Sequence, residues 1–320
     1  MEIIMKITVL DAASLGIDTP FERLRVLGAV RFFNETSPAQ IAERIGDSDV
    51  IIINKIKITY EVLANAGKLK LICVFATGYD NIDIQAAKEH GVAVCNVPAY
   101  STDSVALVTA ATVLSLVTHL SEYRGFVCSG AYQAAGVPNM LSPVYHEIRG
   151  MKWGIVGFGN IGRAVARIAE ALGAEVIVNK RSPISDYTCV DIDTLCKESD
   201  IITLHCPLTP ETRSLINRER INNMKKSVVL VNEARGAVVD EEAVANAIIN
   251  GEIAAFGCDV YSTEPFPANH PYTQIMNMPN VILTPHFAWG AYEARERCLG
   301  IIIQNIKSFF SNGTLNRVDL

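Results

Sequence analysis

Residues 153–162 read WGIVGFGNIG, and no other stretch of the sequence indicates the fold as clearly. The apolar run WGIVG is typical of a buried strand, and NIGRAVARIAEALG has the spacing of an amphipathic helix. Between them lies the pattern GxGxxG, which is a weak signal alone but a specific one between a strand and a helix. It predicts a dinucleotide site, the alternative being a merely structural turn. The predicted cofactor contacts of this loop are Gly157, Phe158, Gly159, Asn160, Ile161 and Gly162.

The alternation of strand and helix extends in both directions from the glycine loop. After it come the apolar runs EVIVN, IITLHC, SVVLVN, IAAFGCDV and VILTPH, which with WGIVG make six predicted strands. Before it come KITVLD, VIIIN, LKLICVF and VAVCNV, with the helical stretches SPAQIAERIG and IDIQAAKEHG between them. Short buried strands that alternate with helices predict parallel sheets covered on both faces. We therefore predict an α/β protein with two doubly wound parallel-sheet domains, flavodoxin-like and Rossmann, and a ligand cleft between them.

The domain boundaries follow from where this pattern restarts. Residues 130–149 carry Gly and Pro without a period, so we expect an irregular loop there. A final helix over about 291–310 has no strand left to follow in the second domain, and we expect it to return to the first. Residues 1–100 plus 290–320 would then form the substrate domain, and residues 101–289 the dinucleotide-binding domain.

Length and composition restrict the classes of function. The 320 residues are 49% hydrophobic and 19% charged, as in a soluble globular enzyme. A net charge of −6 without a basic run argues against nucleic acid and membrane partners. The N-terminal residues lack the pattern of a signal peptide, and the apolar segment Val105–Val117 is too short to span a membrane. The eight cysteines form no CxxC, so buried thiols in the cytoplasm are expected rather than disulfides or zinc, and no metal site is predicted.

The residues after the second strand bear on the choice of dinucleotide. Lys180 lies eighteen residues beyond Gly162, close to the position that reads the ribose. An acidic residue there would bind a free 2′-hydroxyl, whereas Lys180, Arg181 and Ser182 suit a 2′-phosphate. The sequence therefore favours NADP modestly over NAD, the alternative being that both cations face solvent.

Three segments that follow strands carry candidate catalytic groups. Arg235 follows SVVLVN, Asp259 and Glu264 follow the strand in IAAFGCDV, and His286 ends VILTPH. The carboxyl ends of parallel strands meet at the edge of the sheet where ligands bind. An arginine can clamp a carboxylate, and a histidine titrates near neutrality and can supply a proton. We predict Arg235 as the clamp, Glu264 as the orienting acid and His286 as the proton donor. The alternative for Asp259 and Glu264 is that they are ordinary turn or salt-bridge residues.

Seven motifs follow one another along the chain: ATGYDNID (76–83), CNVPAYSTDSVA (95–106), the glycine loop, CPLTPET (206–212), NEARG (232–236), DVYSTEP (259–265) and TPHFAW (284–289). Through these motifs the chain resembles the D-isomer-specific 2-hydroxyacid dehydrogenases over essentially its whole length. Together they are specific, although none is so alone. Within the family the chain is most similar to the glycerate dehydrogenases, or hydroxypyruvate reductases. The resemblance implies reduction of hydroxypyruvate or glyoxylate, with phosphoglycerate, D-lactate or a bulkier 2-keto acid as alternatives.

The resemblance also implies a role for each matching residue. His286 would protonate the substrate carbonyl oxygen, Glu264 would keep His286 charged, and Arg235 would hold the substrate carboxylate. Backbone amides would bind that carboxylate at Ala76, Thr77 and Gly78. Asp259 would hold the nicotinamide carboxamide. The remaining implied cofactor contacts are Cys206, Pro207, Thr212, Glu233, Ala234, His286 and Ala288.

Two positions depart from the family pattern, since Glu233 stands where relatives have Thr or Ser and Leu107 where they have Glu or Gln. The family also predicts a homodimer through the cofactor domain, with Val105–Val117 at the interface. A rival of another class is a cofactor-sensing, corepressor-like binding protein on the same fold. The presence of Arg235, Glu264 and His286 favours an enzyme.

Overall fold

The computed structural model describes residues 5–182 and 184–320. Its strands are β1 (Lys6–Val9), β2 (Ala29–Phe32), β3 (Val50–Ile53), β4 (Leu71–Val74), β5 (Ala93–Cys95), β6 (Lys152–Val156), β7 (Glu175–Asn179), β8 (Thr188–Cys189), β9 (Ile201–Leu204), β10 (Val229–Asn232), β11 (Ala255–Cys258) and β12 (Val281–Leu283). Its α-helices are α1 (Ile41–Ile45), α2 (Tyr60–Ala64), α3 (Ile84–Glu89), α4 (Thr102–Val117), α5 (Leu120–Cys128), α6 (Ala131–Ala135), α7 (Asn160–Ala171), α8 (Ile192–Glu198), α9 (Arg218–Asn223), α10 (Glu241–Ile249) and α11 (Tyr292–Phe310).

The chain divides into two compact units. The first unit contains the described residues up to Ser101 together with Gly290–Leu320, and the second contains Thr102–Trp289. Each unit has its own parallel sheet with helices in the connections, which confirms the predicted α/β class with two doubly wound sheets. The helix expected over about 291–310 is confirmed as α11.

The first unit is built on a five-stranded sheet in the order β2-β1-β3-β4-β5. Strands β3 and β4 read VIII and LICV, and all eight residues are buried because helices cover both faces of the sheet. The prediction of four strands missed β2. Its sequence AVRF alternates between exposed and half-buried positions, since it forms an edge of the sheet and lacks the continuous apolar run of the inner strands.

The second unit is built on a seven-stranded sheet in the order β12-β11-β10-β9-β6-β7-β8. Strand β6 pairs with both β7 and β9, so the chain first extends the sheet to one side of β6 and then to the other. Ligands bind at the carboxyl ends of strands where the order reverses in this way, here at β6 and β9. The six predicted strands are all present, and the structure adds the two-residue edge strand β8, which is too short to produce an apolar run.

Other parts of the second unit complete its two helical layers. The segment 130–149 was predicted to be irregular throughout, but its first part forms the short helix α6. Helix α4 lies against α7 and the sheet, and nine of its residues are buried. In the part of the chain that the structure describes, no single helix is long and apolar enough to cross a membrane, although α4 and α5 together, bent by 65°, reach that length and apolarity.

Candidate active site

The three glycines of the GFGNIG loop lie in three different surroundings. Gly157 has φ +88°, and a Cβ on it would lie 2.5 Å from the backbone nitrogen of Cys206. A Cβ on Gly162, in the first turn of α7, would lie 2.3 Å from the carbonyl oxygen of Gly157. A Cβ on Gly159 would meet no described atom within 4 Å. The protein's own packing thus requires the first and third glycines, whereas the backbone at the second is open. This is the form that fits a dinucleotide pyrophosphate at the N-terminus of a helix.

The cationic pair after β7 lies on the surface. Lys180 is half-buried, and Arg181 and Ser182 are exposed. Hydrogen bonding from Thr209, and to a smaller degree the charge of Arg181, holds the pKa of Glu211 below its ordinary value. Arg181 is therefore close enough to Glu211, in the CPLTPET loop, for the two charges to interact.

Thr212 orders that loop from within. Its hydroxyl donates to the carbonyl oxygen of Pro207 at 2.6 Å and accepts from the backbone N–H of Thr209 at 2.7 Å. Cys206, at the start of the loop, is buried against Gly157. The predicted cofactor contacts at Cys206, Pro207 and Thr212 thus belong to one ordered turn that touches the glycine loop.

His286 and Glu264 form a direct pair in the second unit. His286 Nδ1 lies 2.7 Å from Glu264 Oε2 and 2.8 Å from Glu264 Oε1, and both side chains are about a quarter exposed, at 24% and 28%. The carboxylate accepts the N–H at Nδ1 and fixes the orientation of the ring, so a proton passed to a substrate has to leave from Nε2. Glu264 Oε1 also accepts the backbone N–H of Tyr261 at 3.1 Å.

The backbone at His286 is held in an uncommon conformation. Its φ is +52°, in the left-handed region that non-glycine residues seldom adopt. Such geometry costs on the order of 1–3 kcal/mol and persists only where the surroundings fix it. The indole N–H of Trp289 donates to the carbonyl oxygen of His286 at 2.8 Å, which fixes the peptide that follows His286.

Asp259 fixes the same loop from the sheet. Its carboxylate is 1% exposed and accepts the Thr284 hydroxyl at 2.6 Å and the backbone N–H groups of Phe287 and Ala288 at 3.0 and 2.8 Å. Asp259 follows β11 and these three donors follow β12, so the carboxylate joins two neighbouring strand ends. The sequence suggests a cofactor contact or an ordinary structural role for Asp259 but does not identify these three donors, because they lie 25–29 residues away.

Arg235 lies in a loop that is locked to the DVYSTEP segment. The buried Asn232 accepts the backbone N–H of Ala234 at 3.1 Å and donates its amide to the carbonyl oxygen of Arg235 at 3.0 Å. A Cβ on Gly236 would lie 2.0 Å from the backbone carbon of Tyr261, so only glycine permits this approach. Arg235 Nη1 donates to the carbonyl oxygen of Ala234 at 2.8 Å. The loops after β10, β11 and β12 thus carry Arg235, Glu264 and His286 on adjacent strands of one sheet.

Glu233 places a buried acid in the same loop. The residue is 8% exposed, and its Oε2 has no hydrogen-bond partner among the described residues. Burial, and secondarily the charge of Asp259, raises the pKa of Glu233 well above its ordinary value. The departure from Thr or Ser therefore introduces a carboxyl group that is held toward its neutral form.

The predicted carboxylate-binding loop belongs to the first unit and follows β4. Thr77 donates its hydroxyl to the carbonyl oxygen of Val97 at 2.8 Å and accepts the side-chain amide of Asn96 on its own carbonyl oxygen at 2.8 Å. The N–H groups of Ala76, Thr77 and Gly78 donate to none of the described backbone carbonyls. The loop is thus ordered through its carbonyl oxygens and the Thr77 hydroxyl.

A glycine loop at the first strand, with an arginine and a histidine–carboxylate pair along one sheet edge, is typical of dehydrogenases that use a dinucleotide. Residues 110–288 match the family model "D-isomer specific 2-hydroxyacid dehydrogenase, NAD binding domain". The chain belongs to this family. It is therefore an NAD(P)-dependent oxidoreductase that acts on CH–OH groups.

Similar proteins extend this result to the full length of the chain. A hydroxypyruvate reductase of Blautia hydrogenotrophica is 35% identical over 98% of this chain and 100% of its own. A glyoxylate reductase of Thermococcus litoralis is 36% identical over 84% of this chain and 82% of its own. Among solved structures, an acyclic imino acid reductase in complex with NADPH and D-Arg superposes with a TM-score of 0.86 at 29% identity, covering 98% of this chain and 100% of that one.

Proposed function

We propose that the protein reduces hydroxypyruvate, and also glyoxylate, to the corresponding 2-hydroxy acid, D-glycerate or glycolate, with NADPH in preference to NADH. The observation that carries the proposal is the pairing of His286 Nδ1 with Glu264 Oε2 at 2.7 Å. The names of the relatives at 35% and 36% identity support the choice of these two substrates.

In this proposal the polar groups of the site bind the substrate and transfer a proton. Arg235 binds the substrate carboxylate through its planar guanidinium and polarises the neighbouring carbonyl, and the N–H groups of Ala76, Thr77 and Gly78 bind the same carboxylate. His286 donates its Nε2 proton to the carbonyl oxygen, and Glu264 stabilises the charged ring before that transfer. The bound dinucleotide supplies the hydride. In the oxidative direction His286 Nε2 takes the proton back.

The fit of the glycine loop supports a dinucleotide, and different residues of the chain would contact different parts of that dinucleotide. The loop Gly157–Gly162 would bind the pyrophosphate, and Lys180, Arg181 and Ser182 a 2′-phosphate. The remaining proposed cofactor contacts follow β9 to β12 and are Cys206, Pro207, Thr212, Glu233, Ala234, Asp259, His286 and Ala288. Asp259 would combine the carboxamide contact with its place in the loop after β12.

We further propose that the first unit is the substrate domain, that the second is the dinucleotide-binding domain, and that the protein is a cytoplasmic homodimer without nucleic acid or membrane partners. Exposed apolar side chains support a dimer, because a second copy of the chain would cover them. In and after helices α4–α6 the exposed apolar residues include Leu107, Leu120, Val127, Leu141, Val144 and Tyr145. Most of α4 is buried within its own unit, so the interface would lie mainly on α5, α6 and the segment after them.

A screen of 2-keto acids, each with NADPH and with NADH, tests the proposed activity. We expect hydroxypyruvate and glyoxylate to give the highest kcat/KM, and NADPH to be preferred. Arg235→Lys keeps the charge but loses the fork, so KM for hydroxypyruvate should rise while the affinity for NADPH is kept. If no 2-keto acid were turned over with NADPH or with NADH, the proposal would be contradicted.

A further inference from the structure

The second unit contains a second carboxylate–histidine pair, Glu241 with His270. His270 Nε2 lies 3.0 Å from Glu241 Oε2, and the two side chains are only 5% and 11% exposed. We propose that Glu241 and His270 are positioning residues that hold the Ser262–Glu264 segment, and through it the carboxylate of Glu264, in place against His286. The inference rests on the proposed function, because that function gives Glu264 its task.

The hydrogen bonds of His270 fix its tautomer. The backbone N–H of Tyr272 donates to His270 Nδ1 at 3.2 Å, so Nδ1 is an acceptor and the ring proton is on Nε2. Nε2–H therefore donates to Glu241. The ring is enclosed by aromatic side chains, with centroid distances of 4.9 Å to Tyr272 and 5.0 Å to Phe266. His270 is thus a fixed N–H donor that orients the Glu241 carboxylate.

Glu241 connects a helix to a loop. It is the first residue of α10, whose N-cap Asp240 accepts the backbone N–H of Ala243 at 3.0 Å. Glu241 Oε1 accepts the backbone N–H of Ser262 at 2.8 Å, and Oε2 accepts the Ser262 hydroxyl. Ser262 is exposed and lies outside regular structure, where backbone has few other restraints. These two bonds therefore attach an exposed loop to the start of an ordered helix.

The loop transmits this attachment to Glu264. Only two residues separate Tyr261 from Glu264, and the Tyr261 N–H donates to Glu264 Oε1, which in turn accepts the His286 ring. The Tyr261 hydroxyl donates to the carbonyl oxygen of Thr284 at 2.8 Å. Movement of Ser262 would displace Tyr261 and the Glu264 carboxylate together. A displacement of about 1 Å in a group that orients a catalytic residue can cost about 100-fold in rate.

Substitutions of the pair should lower kcat more than they change substrate affinity, because the hydrogen bonds that they remove attach to Ser262, two residues from Glu264, whereas the Arg235 loop meets this segment through the packing of Gly236. We expect Glu241→Ala to lower kcat for hydroxypyruvate by about 10- to 100-fold, with KM within about 3-fold of the wild type. His270→Leu should also lower kcat. His270→Gln keeps an N–H at the Nε2 position and should retain most of the wild-type kcat. Glu242→Gln, an exposed neighbour on α10, is the matched control and should be indistinguishable from the wild type.

A double-mutant cycle with Glu264 separates positioning from a merely structural role. If Glu241 acts through Glu264, Glu264→Gln combined with Glu241→Ala should be no slower than Glu264→Gln alone, within about 3-fold. Losses that multiply would overturn the inference. So would a wild-type kcat for Glu241→Ala where Glu264→Gln is impaired. A wild-type kcat for Glu264→Gln itself would contradict the proposed function instead. NADPH binding, followed by fluorescence, should be unchanged in each variant. If Glu241→Ala does not fold, His270→Leu takes its place in the cycle.

Discussion

Replacing Glu233 by glutamine should make the protein's stability less dependent on pH. In the folded chain burial, and secondarily the Asp259 charge, raises the pKa of Glu233 well above its ordinary value, whereas in the unfolded chain the pKa returns to about 4.3. Between these two pKa values the folded state binds one proton more than the unfolded state. The free energy of unfolding therefore falls as pH rises through that window, by about 1.4 kcal/mol per pH unit for one proton.

Glutamine has nearly the same shape but does not titrate, so the contribution of residue 233 to this slope should vanish. At pH 4 both proteins carry a neutral group with an unpartnered buried atom, and their stabilities should agree within about 1 kcal/mol. Above about pH 5 the Glu233→Gln protein should gain relative to the wild type until the pKa of the folded chain is reached. For a unit of this size the gain corresponds to about 3–6 °C in Tm for each pH unit.

Thermal unfolding of the wild type and Glu233→Gln at pH 4, 5, 6 and 7, followed by circular dichroism, measures this divergence. Glu242→Gln is the control, because it removes the same charge from an exposed position. Its Tm should run parallel to that of the wild type. If the Glu233→Gln and wild-type curves also run parallel, Glu233 is ionised in the folded state at these pH values, and the reasoning from its burial is wrong.

Three further predictions concern the cofactor site and the loop after β12. Lys180→Asp should raise KM for NADPH far more than KM for NADH, and equal effects in steady-state kinetics would mean that Lys180 faces solvent. Gly162→Ala should lower Tm because its Cβ would lie 2.3 Å from a carbonyl oxygen, whereas Gly159→Ala should keep Tm and weaken NADPH binding in a fluorescence titration. Asp259→Ala removes three hydrogen bonds and should lower the free energy of unfolding by about 2–4 kcal/mol in a urea titration; a loss below about 0.5 kcal/mol would show that the loop is held by other groups.

Local sequence was sufficient for the elements whose residues carry their own signal. The apolar runs VIII, which is β3, and WGIVG, which contains most of β6, predicted inner strands, because a strand covered on both faces has to be apolar throughout. The edge strand β2 alternates between exposed and half-buried positions, and β8 has only two residues, which is why both were missed. The glycine loop was also predictable from local sequence, because the close approach of backbone at Gly157 and Gly162 requires glycine at these positions.

The groups that hold the site in place were not predictable from one sequence. Asp259 binds donors 25–29 residues along the chain, and Glu241 reaches Ser262 and His270 at separations of 21 and 29 residues. No spacing rule links such partners, because their proximity depends on the order of the strands in the sheet. Nothing in the sequence around His270 indicates a role at the site, because its ring contacts and its bonds to Glu241 and Tyr272 depend on the folded structure.

Following a labelled hydride from cofactor to product tests most directly whether the protein is a 2-keto acid reductase. The protein is incubated with hydroxypyruvate and NADPH that carries deuterium at both positions of C4, and the product is analysed by mass spectrometry. We predict 2-hydroxy acid with one deuterium at C2, formed at least about 100-fold more slowly by His286→Ala. Absence of labelled product from the wild type, or formation of it by His286→Ala at the wild-type rate, would contradict the account.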